Sequence, residues 1–209
     1  NVPVDEWKLD IVASGSQKGY MIPPGLSFIS MSQKAWEAAE KSNLPKFYLN
    51  LKSYRKSLLS NSNPYTPAVN LVFALDEALK MMREEGLDNI FLRHNKHKLA
   101  MSNAVKALNL KLFADEKYLS PSITAIKTEG VDAEEFRKTI KNNFDILLAG
   151  GQDHLKGKIF RVGHLGYVND RDIITVISAI SNTLLDLGKI SAQQAGEALF
   201  LVSKYLEGN

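Results

Sequence analysis

Residues 9–31, LDIVASGSQKGYMIPPGLSFISM, decide how the rest of the chain is read. Leu9 to Ser14 is a short apolar run rich in β-formers and reads as a buried strand. Gly15 to Gly19 (GSQKG) interrupts it, and Pro23-Pro24-Gly25 forms a rigid turn. Leu26 to Met31 alternates and reads as a second strand. Two strands joined by a glycine- and serine-flanked lysine make a hairpin-like unit. Lys18 then stands directly after a strand. It is either a turn lysine in solvent or an amine displayed for covalent chemistry. Reactive lysines need small neighbours and a surrounding that desolvates the ammonium or places cations beside it.

Outward from this unit, Ser32 is placed to cap a helix over Gln33 to Ser42. A short helix is expected near Lys52 to Leu59, followed by a loop, Asn61 to Pro67. Thr66-Pro67 has the pattern of an N-cap and first-turn proline. Val69, Val72, Phe73, Leu79 and Met82 follow at helical spacing up to Gly86. Asp88 is the expected cap of a helix from Asn89 to about Leu108, with Ile90, Phe91, Met101, Val105 and Leu108 in its apolar stripe.

The pattern then becomes β-β-α-β-β-α, which indicates a compact α+β domain. Its expected strands are Leu110 to Phe113, Ser122 to Thr128, Asp145 to Ala149 and Lys158 to Leu165. Its helices are Val131 to Asn143, capped by Asp132, and a helix capped by Asn169 through Leu187. A last amphipathic helix, Ile190 to Leu206, is expected behind Ser191. The division read from the sequence is residues 1–66, 67–188 and a helical tail 189–209.

Composition narrows the function. The 209 residues are 44% hydrophobic and 23% charged, enough for a real core. There is no cysteine, which excludes disulfides, thiolate metal sites and thiol catalysis within this chain, and fits a reducing, cytoplasmic setting. The formal charge of +3 is mild, so no nucleic-acid partner is expected. The richest basic stretch, Arg93 to Lys98 (RHNKHK), reads as the wet side of a helix. No apolar run reaches the ~18 residues that span a bilayer, so no membrane partner is expected.

Arg161, in Lys158 to Leu165, offers a planar fork suited to a carboxylate, or equally a surface ion pair. His164 and Asp153-His154 read as structural. His94 and His97 lie three apart without a convincing further ligand, so no metal is expected. Gly150-Gly151 is a turn or a close backbone approach.

The segment SGSQKGYMIPPGLSFISMS (14–32) resembles the cofactor-lysine segment of class V pyridoxal-phosphate aminotransferases. Within them it is most similar to the alanine–glyoxylate and serine–pyruvate or serine–glyoxylate group, some relatives of which are called soluble hydrogenase small subunit. NPYTPAV (63–69) and GKIFRVGHLG (157–166) continue the resemblance in the same order, up to about Gly188.

The resemblance implies the C-terminal part of a type I PLP fold, an α/β architecture: the last strands of a large domain plus a small α+β domain. It implies pyridoxal 5'-phosphate as cofactor and Lys18 as its Schiff-base lysine. Gln17 matches a cofactor-pocket residue, and Thr66 a threonine reaching the cofactor phosphate of the neighbouring subunit. Many members have a tyrosine three residues before that threonine. This chain has Asn63 there, with Tyr65 the nearby candidate for a phosphate contact. Arg161 matches the arginine that holds the substrate carboxylate.

The implied reaction is ping-pong transfer of an amino group from alanine or serine to glyoxylate or pyruvate by a homodimer. The family places an acidic partner for the pyridine nitrogen, a ring-stacking residue and a phosphate loop upstream of the lysine. Only 17 residues precede Lys18, and Asn1 to Trp7 resembles the middle of a loop, so the expectation is a segment of an enzyme of roughly double this length. The alternatives are a non-catalytic folding and dimerisation module, or a class V PLP lyase. Cysteine desulfuration, one such lyase reaction, needs a cysteine that this chain lacks.

Overall fold

The computed structural model describes residues 2–207. The chain divides after Glu84 into two compact units. The helix that follows the Thr66-Pro67 loop therefore runs with the first unit up to that point, rather than opening the second.

In the first unit, β1 (Ile11–Gly15) pairs antiparallel with β2 (Ser27–Met31), with Ser14 opposite Phe28 and Gly15 opposite Ser27. Helix α1 (Gln33–Lys41) begins as expected: Ser32 Oγ accepts from the Ala35 amide. Asp10 fixes that cap, accepting from Ser32 Oγ and Lys34 Nζ, each at 2.7 Å. Helix α2 (Leu51–Leu59) is capped by Asn50.

Helix α3 (Val69–Glu85) starts later than the Thr66-Pro67 pattern suggests. The first i→i−4 bond runs from the Val72 amide to the Ala68 carbonyl, so Ala68 is the N-cap and Thr66 lies in the loop before it. Its apolar stripe also differs from a core face: Val69, Val72, Phe73 and Leu79 are exposed, and Ala78 is its one buried residue.

The second unit holds the main core. Helix α4 (Leu87–Ala107) has Gly86 at its N-cap, at φ 84°, so Asp88 lies in the first turn and is not the cap. Strands β3 (Lys111–Leu112), β4 (Ile123–Lys127), β5 (Ala149–Gly150) and β6 (Ile159–Gly163) form an antiparallel sheet in the order β3-β4-β6-β5. The expected strand Asp145 to Ala149 shrinks to its last residue plus Gly150. Asp145 instead closes α5 (Ala133–Phe144) in the left-handed conformation, φ 55°.

Helix α5 is capped by Asp132, and α6 (Asp170–Asp186) by an Asn169–Asp172 capping box. Thr124, Ile126, Phe160 and Val162 point to the helix-covered face, where Phe136 and Phe160 pack 5.2 Å apart. Arg161 alternates to the opposite face.

The tail is part of this core. Helix α7 (Ala192–Glu207) packs on α4 and α6 through Ala195, Ala198 and Val202. Ser191 accepts from the Gln194 amide while the Gln194 side chain accepts from the Ser191 amide.

Arg93 to Lys98 is not simply a solvated face. His94 and His97 are buried, one helical turn apart, and Arg93 is mostly covered. Arg93 binds Glu85 through two nitrogens and donates to the Gly166 and Val168 carbonyls. The Gly166 amide donates to His94 Nε2, which requires a neutral ring whose Nδ1–H donates to Ile90 O. His97 donates from Nε2 to Asp170, which also accepts from Lys96. Burial holds His97 below its ordinary pKa against the pull of Asp170. Gly166, Val168 and Asp170 lie more than 70 residues away, so the sequence pattern of α4 carries no sign of them.

His164 is fully buried at the end of β6. Its Nδ1–H donates to Pro121 O, and the Thr124 hydroxyl sits 2.9 Å from Nε2. Burial pushes its pKa down to about 4, although the Pro121 carbonyl favours the protonated ring. The folded ring therefore stays neutral while the unfolded one takes a proton below pH 6.5. Stability is present above about pH 6.5 and falls towards pH 4, by about 3 kcal/mol in total. Urea melts of wild type and His164→Gln between pH 7 and pH 4 should show the shallower pH dependence in the variant. Equal slopes would refute this assignment.

Candidate active site

The lysine turn is held by a residue that the sequence reading passed over. Ser16 is fully buried; its Oγ donates to Pro23 O at 2.8 Å and accepts from the Leu26 amide at 3.1 Å. Its own amide donates to Leu26 O. One hydroxyl thus ties the turn that carries Lys18 to the Pro23–Leu26 loop. A serine between Gly15 and Gln17 gives no local sign of this, since both partners come from across the loop.

Gly25 (φ 142°) completes the arrangement, because a Cβ there would lie 2.5 Å from Leu71 Cδ1. Ser16→Ala leaves the Leu26 amide and the Pro23 carbonyl without that partner, at a cost of about 1–3 kcal/mol. Faster hydrogen exchange at the Leu26 amide is the expected result, and unchanged exchange would contradict the tie.

Lys18 itself is exposed, and among the described residues its ammonium has no carboxylate or carbonyl partner. The desolvation expected of a reactive lysine is not supplied by the first unit. A two-stranded sheet and one turn offer no wall to cover it. The site is nevertheless open: a Cβ at Gly19 would meet nothing within 4 Å. Gln17 is exposed, and its side-chain amide folds back over Gly15, where a Cβ would sit 2.8 Å from Oε1.

Thr66 is exposed in the loop before α3. Tyr65 belongs to an aromatic group with Phe47, Tyr48 and Tyr54, its ring 4.7 Å from that of Tyr48. Its hydroxyl donates to Phe47 O at 3.2 Å, so the proton that a phosphate contact would use is already engaged. Tyr65 anchors the loop that carries Thr66.

In the second unit, Arg161 Nε donates to Gly150 O at 2.9 Å. Among the described residues no carboxylate pairs with this guanidinium. Its two terminal nitrogens keep the fork geometry that a carboxylate accepts from in parallel. Ala125 and Ala149 stand opposite Arg161 on the neighbouring strands, and small side chains there leave space. Gly151 is a close approach to its own backbone: a Cβ would lie 2.1 Å from Leu155 O. Asp153 and His154 are exposed in a single helical turn, Asp153–Leu155. Among the described residues no group of three or more His, Asp or Glu is arranged to hold a metal ion.

The family model for class V aminotransferases matches residues 1–167. The chain belongs to the class V aminotransferase family. It is 58% identical over 188 residues to the soluble hydrogenase small subunit of a Synechococcus species, covering 90% of this chain and 49% of that protein. It is 37% identical over 213 residues to serine–glyoxylate aminotransferase of Methylorubrum extorquens, covering 98% and 52%. Among solved structures, ureidoglycine–glyoxylate aminotransferase of Bacillus subtilis superposes with a TM-score of 0.89 at 30% identity, over 98% of this chain and 54% of that one. The chain spans about half the length of the curated relatives it matches. The two small sheets and seven α-helices of the described residues fit a C-terminal portion of the PLP-dependent aminotransferase fold. No helix among the described residues is long and apolar enough to cross a membrane.

Proposed function

We propose that the polypeptide carrying this chain is a PLP-dependent aminotransferase. It moves an amino group from a small amino acid, alanine or serine, to a 2-oxo acid such as glyoxylate or pyruvate, in a ping-pong cycle. The observation that carries the reading is Lys18: an amine without an ion-pair partner, on an open turn fixed by Ser16, in a class V chain. The donor set fits the cofactor. A primary amine suits its aldehyde, and the Thr66 hydroxyl suits its phosphate. When bound, pyridoxal phosphate supplies the aldehyde that captures the amino group and an electron sink for charge at the substrate α-carbon.

The chain's own residues do the rest. Lys18 Nζ anchors the cofactor between turnovers. As a free amine it would accept the proton lost from the substrate α-carbon as a general base, and the resulting Lys18 ammonium would be the acid that returns that proton. Arg161 binds the substrate carboxylate through its two terminal nitrogens, while Gly150 O fixes the third nitrogen. This orients the bond to be broken. Gln17 borders the cofactor and Tyr65 holds the Thr66 loop.

The same proposal includes a homodimer. It is supported by the apolar surface of the first unit, where Phe47, Leu49, Leu59 and Phe73 are each more than 70% exposed. Light scattering at twice the subunit mass is the expected result.

The test of the reaction uses the polypeptide of full family length. It is incubated with pyridoxal phosphate, reduced with borohydride and digested for mass spectrometry. A single label on Lys18 is expected. No label, or a label confined to other lysines, overturns the proposal.

A further inference from the structure

Arg161 does not hold its pose unaided. Its Nε is fixed by the Gly150 carbonyl, and Gly150 lies in β5, a strand of two residues at the sheet edge. Two residues paired to β6, plus one bond from the Gly151 amide to Ile159 O, are a weak frame for a side chain that must meet a substrate within a fraction of an ångström. The frame is reinforced from the helix-covered side. Arg137, on α5, donates from Nε to Leu148 O at 2.8 Å, immediately before β5. Its Nη1 donates to Glu134 Oε2, also at 2.8 Å.

This pair sits directly behind Gly150. A Cβ there would lie 2.5 Å from Arg137 Nη1 and 2.6 Å from Glu134 Oε1. Gly150 has no positive φ that would itself demand glycine, so the reason for glycine is this approach. The Arg137–Glu134 head group thus lies against the residue whose carbonyl aims Arg161.

We infer that Arg137 is a positioning residue for substrate carboxylate recognition: it holds β5 in register so that the Gly150 carbonyl presents the Arg161 fork. This rests on the reading of Arg161 as the carboxylate-binding residue. Arg137 is on the opposite face of the sheet from the Arg161 side chain and touches no substrate. Its effect passes through the backbone of residues 148–150. The Arg137→Met variant should raise KM for both the amino acid and the 2-oxo acid by about tenfold, the effect of one lost positioning bond, and by more than kcat falls.

A second readout needs no turnover. In the PLP-loaded protein, glycolate, a non-reacting hydroxy acid, should protect Arg161 from phenylglyoxal, followed on the Arg161 peptide by mass spectrometry. The half-protecting concentration should rise about tenfold in Arg137→Met. Arg137→Lys, which keeps a donor near Leu148 O, should restore most of the protection. Gly150→Ala, whose methyl meets the same head group, should give the loss from the other side, and it carries the test if Arg137→Met does not fold.

A lowered thermal midpoint with unchanged half-protection in Arg137→Met would make Arg137 a stability tether only, and would overturn the inference. Failure of glycolate to protect Arg161 in the wild type would instead overturn the reading of Arg161 itself.

Discussion

Lys18→Ala is expected to abolish both covalent capture of the cofactor and turnover in the full-length polypeptide. The amine is the group expected to bond the aldehyde and to carry the proton at the α-carbon. Loss of a positioned acid–base group alone costs about 10²- to 10⁴-fold in rate, and loss of the anchoring amine adds to it. The turn itself should survive, because Lys18 contributes only backbone bonds to it: its amide to Gly15 O, and its carbonyl to the Met21 amide. The variant is therefore expected to melt within a few degrees of wild type. An added small primary amine should return part of the rate by supplying the missing base from solution. Single-turnover measurements with and without the amine check this. A variant that turns over at the wild-type rate would remove Lys18 from the mechanism.

The second large effect is expected at Arg161. Arg161→Ala removes the fork and frees the Gly150 carbonyl. Truncating one partner of a desolvated charge pair costs about 2–5 kcal/mol, on the order of 30- to 5,000-fold in KM. Arg161→Lys should recover only part of this, because an ammonium cannot donate two parallel bonds while also holding Gly150 O. Steady-state kinetics with a carboxylate substrate and with its methyl ester separate the causes. The ester should lose much less than the acid when Arg161 is replaced. Equal losses for acid and ester, or an unchanged KM for every amino acid, would remove the carboxylate role.

The helices and their caps were legible because their signals are local. Ser32, Asp132, Asn169 and Ser191 each act on amides two or three residues away, and each cap is present. Where an expectation missed, a non-local term decided. Thr66-Pro67 has a capping pattern, yet Ala68 is the N-cap and the helix begins at Val69, with Tyr65 drawn into an aromatic group built with residues 47–54. The apolar run DILLA reads as a strand, yet only its last residue finds a partner on β6, and Asp145 ends α5 in a left-handed turn. The histidines of α4 read as solvated, yet bonds to Gly166 and Asp170 draw them inside.

The candidate site divides in the same way. Lys18 and Arg161 were visible as residue types in motifs. The bonds that orient them, from Ser16 to the Pro23–Leu26 loop and from Gly150 to Arg161 Nε, were not.

The order of residues alone determined which segments coil, where most helices start and which amine and guanidinium stand beside glycine-rich turns. These depend on backbone geometry over three or four positions and on side chains that satisfy the nearest amides. Only the tertiary structure decided which buried polar atoms meet, how long the edge strand is and what stands behind Gly150. Such contacts join residues from 7 to more than 70 positions apart. They are chosen by which packing leaves the fewest buried donors and acceptors without a partner.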